Sequence, residues 1–294
     1  MKIYYYIISI LILGSFASCN NDDSKADGYG NFEATEVTIS AEANGKIEFL
    51  NFEEGDILEP KTIVGLVDTL QLYYSKQQLI ASKSTINSKS KNVLSQNDVL
   101  QSQLKTAIIE KNRVQNMFLE NAATQRQVDE IDGRVNVIKE QIKSVKTQNL
   151  PIINEVEAIN VQIEKVNNQI ENSKIINPIK ATVLAKYAEP NEITSFGKPL
   201  YKIADLSVMT LRVYISETQL AQIKLNQKVS VKIDNDKAMK SYEGVISWIS
   251  SVAEFTPKIV QTKEERVNLV YAVKVDVKND GSLKIGMPGE MYIK

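Results

Sequence analysis

The stretch VDEIDGRVNVIKEQIKSVKTQNLPIINEVEAINVQIEKVNNQI, residues 128–170, decides the fold. Its apolar residues fall at Val128, Ile131, Val135, Ile138, Ile142, Val145, Ile152, Val156, Ile159, Ile163, Val166 and Ile170. The steps alternate three and four, a heptad with both seam positions filled, broken only at Asn149. Upstream, Leu72, Leu79, Ile86, Val93, Leu100, Ala107 and Val114 stand seven apart. Both periods stop at Glu120-Asn121-Ala122-Ala123. Thr124 followed by Gln127 reads as a capping box, so a new helix starts there. Residues 71–172 therefore read as two long helices folded back on each other.

The two arms check each other. In an antiparallel hairpin the facing residues are mirror images about the turn. Leu72 with Ile170, Leu79 with Ile163, Ile86 with Val156, Val93 with Asn149, Leu100 with Ile142, Ala107 with Val135 and Val114 with Val128 all mirror about position 121. At 1.5 Å per residue such arms reach about 70 Å. Pro151 removes a helical hydrogen bond and predicts a bend near Thr147. The second seam column, Ile131, Ile138, Val145, Ile152, Ile159 and Val166, faces Lys111, Leu104, Asn97, Ser90, Lys83 and Lys76. Mostly polar partners predict a poorly covered stripe, to be buried by a neighbouring hairpin.

Composition excludes several classes. The chain has 294 residues, a formal net charge of −1 and no histidine. No nucleic-acid partner is expected from that balance. Without histidine there is no serine triad, and the commonest metal ligand is missing. No Gly-rich phosphate loop is present, so no cofactor or metal is expected. The acidic run Asp129, Glu130 and Asp132 reads as a solvated helix face, and Trp248 as a core position on a strand.

The single cysteine, Cys19, ends an informative start. Lys2 precedes an apolar run, Ile3 to Leu13, and Gly14-Ser15-Phe16-Ala17-Ser18-Cys19 closes it with small residues. That is the shape of a signal peptide, too short to span a bilayer, which takes about 20 apolar residues. Phe-Ala-Ser-Cys resembles a bacterial lipobox, which implies cleavage before Cys19 and its lipidation. Residues 20–31 read as a flexible tether.

Either side of the hairpin the pattern is β. Residues 32–70 carry short apolar runs separated by Asn44-Gly45, Glu54-Gly55-Asp56 and Glu59-Pro60 turns. Residues 173–206 continue in the same style. Then Met209 to Ile215, Val229 to Ile233, Gly244 to Ile249 and Tyr271 to Val277 alternate at period two, with a short helix from Glu217 to Leu220.

Gly45-Lys46-Ile47, Glu54-Gly55-Asp56-Ile57 and Val67-Asp68 resemble the first half of a biotinyl/lipoyl-type β-sandwich, and Ile176 to Val183 resembles the start of its second half. Lys61, Asn177, Ala181 and Asn191 depart from that pattern, three of them standing for glycine. A long helical hairpin splitting the two halves is similar to HlyD-type periplasmic adaptors (membrane fusion proteins), over nearly the whole chain from Phe32. The fold implied is mixed α and β: a long antiparallel α-helical coiled-coil hairpin (71–172) inserted in a lipoyl/biotinyl-like β-sandwich (32–70 and 173–206), followed by a small β-barrel domain (207–294). Residues 1–19 would be the lipoprotein signal peptide.

The resemblance also implies function. Such an adaptor does no chemistry. It bridges an inner-membrane transporter to an outer-membrane TolC-like duct, as a homo-oligomer of six copies anchored by its lipid in the envelope. Glu254 to Lys258 and Gln261 to Arg266 look like the loop of a subgroup paired with ABC transporters, and the membrane-proximal domain common in adaptors of proton-driven pumps is expected to be absent. Duct-docking adaptors carry an Arg, a Leu four residues on and a Ser eleven on, flanking the turn. Those offsets fall on Arg113, Met117 and Thr124. The alternatives are an adaptor of a proton-driven pump and a coiled-coil envelope scaffold without a transport role. A cofactor-carrying lipoyl or biotinyl subunit would need a lysine at a tight turn between the halves, where the hairpin stands instead.

Overall fold

The computed structural model describes residues 26–234, 239–255 and 269–293. In chain order these form β1 (Gly28–Glu33), β2 (Glu36–Ser40), β3 (Gly45–Leu50), β4 (Ile57–Leu58), β5 (Ile63–Val67), α1 (Leu70–Leu119) and α2 (Gln125–Asn172). There follow β6 (Lys174–Ile176), β7 (Ala181–Lys186), β8 (Ile193–Thr194), β9 (Pro199–Ala204), β10 (Val208–Ile215) and α3 (Glu217–Leu220). The last strands are β11 (Lys228–Ile233), β12 (Lys240–Ile249), β13 (Glu254–Phe255), β14 (Leu269–Lys278) and β15 (Pro288–Tyr292). The contacts divide the chain into two compact units, Val37–Ile203 and the flanking segments.

The hairpin that the heptads predict is present. Ile131, Val135, Ile138, Ile142, Ile159 and Val166 of α2 are buried, with Ile86 and Ala107 of α1. Four of these, Ile131, Ile138, Ile159 and Val166, belong to the second column and are only 7–9 % exposed. The hairpin itself therefore covers more of this stripe than its mostly polar partners predict, while Val145 and Ile152 of the same column stay half-buried. Lys76, Lys83 and Lys111 lie half-buried along the α1 seam, where a long aliphatic stem can shield a facing isoleucine. The Lys111 ammonium then reaches Asp132 of α2 at 2.7 Å. α2 runs through Pro151 as one helix, and the burial of Ile159 and Val166 beyond it shows that the heptad keeps register.

The hairpin is clamped at its base by a sheet. β5 ends at Val67 just before α1, β6 begins at Lys174 just after α2, and the two pair antiparallel with Leu66 opposite Lys174. Two four-stranded sheets, in the orders β2-β9-β7-β4 and β6-β5-β3-β8, each combine strands from before and after the hairpin. Their shared core includes Ile47, Val67, Leu200, Tyr201 and Ile203, all essentially unexposed. Two of the three glycine-replacing residues keep the backbone that glycine would supply, Lys61 at φ 62° and Asn191 at φ 73°, while Ala181 lies in the strand β7. A Lys in the left-handed region is costly, and the surroundings hold it. The Lys61 N–H donates to the Asn177 carbonyl at 2.7 Å, while the buried Asn177 side chain donates to the carbonyls of Glu59 and Ile179.

The second unit is a closed barrel. Its strands run in the order β10-β1-β15-β11-β12-β14, and β14 pairs back to β10. Phe32, Met209, Leu211, Val213, Val231, Ile246, Val275 and Met291 fill it, all at 0 % exposure. One expectation is corrected here. Residues 28–31 are not tether and 32–33 are not sandwich, because Gly28–Glu33 is the barrel strand between β10 and β15. The glycines that make the segment read as a linker are there for packing: a Cβ on Gly30 would lie 1.7 Å from the Arg212 carbonyl oxygen. Cys19, and the loop residues beyond Phe255 up to Arg266, lie outside the described residues.

Candidate functional site: the hairpin tip

The turn between the arms is built from a few local bonds. α1 ends at Leu119, and Asn121 takes the left-handed conformation at φ 54°. The Asn121 N–H donates to the Phe118 carbonyl at 3.0 Å, and the Ala122 N–H to the Met117 carbonyl at 2.8 Å. Those two bonds make a Schellman ending, with Asn in the place glycine usually takes. Thr124 is extended (φ −96°, ψ 154°) and caps α2. The Gln127 side-chain oxygen accepts from the Thr124 N–H at 2.8 Å and from its hydroxyl at 3.0 Å. The capping box read from the sequence is formed.

The three residues chosen by offset fall on two sides of this turn. Arg113 and Met117 lie one turn apart on α1, and by that spacing share a face. The Arg113 side chain is 69 % exposed and, among the described residues, is paired only with Glu110 on its own helix, at 3.4 Å. Met117, Phe118 and Leu119 are exposed at 39 %, 37 % and 76 %. Thr124 stands across the turn with its hydroxyl engaged by Gln127, so its cap role is visible in the geometry. The sequence reading passed over Leu119, the most exposed of the tip's apolar residues. Its signal was there: an apolar side chain off the heptad, directly before the turn. Three consecutive apolar side chains in water, beside a loosely held guanidinium, suit a contact with another surface.

Among the described residues no cluster of His, Cys, Asp or Glu could hold a metal ion, and no helix is long and apolar enough to cross a membrane. No family model matches the chain. It is 25 % identical over 289 residues to a UPF0194 membrane protein of Enterobacter sp. (strain 638), covering 88 % of this chain and 86 % of that one. A second UPF0194 membrane protein, YbhG of Salmonella gallinarum, is 24 % identical over 309 residues, covering 96 % and 92 %. In fold the chain is similar to MacA from Actinobacillus actinomycetemcomitans, with a TM-score of 0.54 at 18 % identity over 90 % of this chain and 76 % of that one. The membrane fusion protein Spr0693 from Streptococcus pneumoniae R6 gives the same TM-score, at 15 % identity over 90 % and 98 %. Its structural neighbours are thus proteins of the membrane fusion, or adaptor, type.

Proposed function

We propose that this chain is the periplasmic adaptor of a tripartite efflux or secretion system, joining an inner-membrane transporter of the ABC type to an outer-membrane TolC-like duct. The observation that carries this reading is the insertion. A hairpin whose arms reach about 70 Å springs from the middle of a small sandwich, and its far end carries an exposed apolar turn with nothing of its own unit to bury it. A tether alone needs no such tip. The chain does no chemistry in this role and holds no cofactor. Cys19 is the lipid-anchored residue of the mature protein, held in the envelope on the periplasmic side, and six copies form the working ring.

The test uses the full chain in cells. A photo-crosslinking residue at Met117 is expected to capture an outer-membrane duct, identified by mass spectrometry. The same residue at Tyr29, exposed on the barrel wall, should capture an inner-membrane ABC transporter. Recovery of a proton-driven pump would replace the transporter class. Recovery of peptidoglycan-associated proteins alone, with export intact in a deletion strain, would favour the envelope scaffold. Metabolic labelling with a palmitate analogue should mark the wild type and not Cys19→Ala.

A further inference from the structure

The barrel has two different ends, and the chain enters at one of them. Gly28 starts β1 beside Ile215, the last residue of β10, and Ile215 lies opposite Tyr271 near the start of β14. Two residues further out along the same rim, Leu269 of β14 pairs with Phe255 of β13. These two are 53 % and 75 % exposed, and Val252 in the turn before them is 67 % exposed. That turn is tied by the Ser250 hydroxyl, which donates to the Val252 carbonyl at 2.7 Å. On the neighbouring β12, Trp248 is 41 % exposed, with the Lys274 ammonium 5.5 Å from its ring centre. β1 leaves at the opposite rim, where Asp280 in the turn Asp280-Gly281-Ser282 pairs with Lys240 and the apolar side chains of Val208, Met239 and Ile285 are less exposed, at 47 %, 41 % and 40 %.

We propose that the rim carrying Val252, Phe255 and Leu269 seats directly in the headgroup layer of the membrane that holds the lipidated Cys19. This rests on the anchor reading of Cys19. Only eight residues separate Cys19 from Gly28, and fully extended they span about 30 Å. The entry rim is thus confined near the bilayer surface. Protruding aliphatic and aromatic side chains, flanked by a Trp with a Lys over its face, have the chemistry of an interfacial contact: the apolar parts enter the acyl boundary and the cation stays among the headgroups. A single acylated residue then gains a second hold, and the barrel's axis is set relative to the membrane.

Cys19 is the chain's only cysteine, so lipidation leaves no thiol and single labels can be placed cleanly. The lipidated full chain, with Phe255→Cys, Leu269→Cys or Ser282→Cys carrying a bimane label, is reconstituted in vesicles of phosphatidylethanolamine and phosphatidylglycerol containing doxyl lipids. No transporter is present. Labels at 255 and 269 are expected to be quenched about threefold more than the label at 282, because interfacial side chains reach roughly 5–10 Å into the headgroup boundary. Equal, weak quenching at all three positions on vesicle-bound protein overturns the proposal and leaves the rim as a surface for a protein partner. A chain that fails to bind vesicles and shows a free, reactive Cys19 thiol removes the anchor instead, and the rim contact with it.

Discussion

The barrel and the hairpin solve the problem of burial in opposite ways. In the barrel each strand gives one face to a common centre, and the closed ladder leaves those side chains with almost no exposure. In the hairpin only two faces meet. α2 buries six residues there and α1 only two, although the arms are of nearly equal length. The difference lies in what fills the facing positions. α2 offers β-branched residues at both seam columns, while α1 offers one apolar column and a second of lysine, serine and asparagine broken only by Leu104. The barrel is thus built for stability. The hairpin takes from packing what keeps it in register, and spends its sequence on length.

That contrast sets the size of the expected effects. Leu211, at 0 % exposure in the barrel centre, should cost about 2–5 kcal/mol when cut to alanine, through lost burial plus a cavity. Chemical denaturation followed by Trp248 fluorescence would report the loss. Helical circular dichroism, dominated by the arms, should melt separately and hardly change. A single shared transition shifted for both signals would break the distinction between the two regions.

The sandwich core gives a pH test of the same idea. Tyr201 is fully buried against Phe52, with ring centres 4.6 Å apart, and its hydroxyl has no partner among the described residues. Burial pushes its ionisation up to about 12. The unfolded phenol ionises near 10, so between pH 10 and 12 the unfolded chain releases a proton that the folded one keeps. Stability from this group is complete below pH 10 and is lost as pH rises toward 12. Tyr201→Phe should match the wild type at pH 8 or exceed it, and the gap in melting temperature between them should widen steadily above pH 10. A constant gap across that range would show that the folded phenol ionises as readily as the unfolded one, so that water reaches it.

How far the sequence could be read follows the range of each interaction. The arms were legible because a heptad is local, and the mirrored seam fixes its own turn. β1 was not, because Gly28 and Gly30 look like a linker until β10 and β15, more than 170 residues away, are brought beside them. The tip's candidate residues could be placed on their faces by counting. That Thr124 spends its hydroxyl on Gln127 was implied by the capping box, whereas the exposure of Leu119 needed the turn itself. Across the seam, the partner of Asn149 was missed. Counting sets it opposite Val93, yet Ser90, one turn away, donates its hydroxyl to the Asn149 side-chain oxygen at 2.8 Å. Asn149→Val therefore should not stabilise the hairpin. It should cost about 1 kcal/mol, the net worth of one hydrogen bond, and the Ser90→Ala, Asn149→Val pair should recover most of that loss in a double-mutant cycle. Thermal melts of the four proteins would show it.

The smallest effect on stability is expected at the tip, together with the largest effect on function. Arg113 gains little from Glu110, an exposed pair on one helix face, for which a few tenths of a kcal/mol is typical. Met117 is already well exposed. Arg113→Asp and Met117→Asp should therefore leave the melt of the arms within about 0.5 kcal/mol of wild type. If the tip is where the adaptor meets its duct, the same changes place a carboxylate in a desolvated contact and remove either a guanidinium or an apolar anchor there. Export should then fail although the protein folds and is anchored normally. Lys91→Asp supplies the comparison, because Lys91 is exposed in mid-arm and the charge change is the same as at Arg113. Thr124 is tested differently, since its hydroxyl serves the cap. Thr124→Ser keeps the bond to Gln127 and should export normally, whereas Thr124→Val should lower helix stability by about 1 kcal/mol whether or not the tip docks. Normal export by Arg113→Asp and Met117→Asp would reduce the tip to a turn. Loss of export with Lys91→Asp as well would show that charge along the whole arm, rather than a docking point at its end, is what the partner reads.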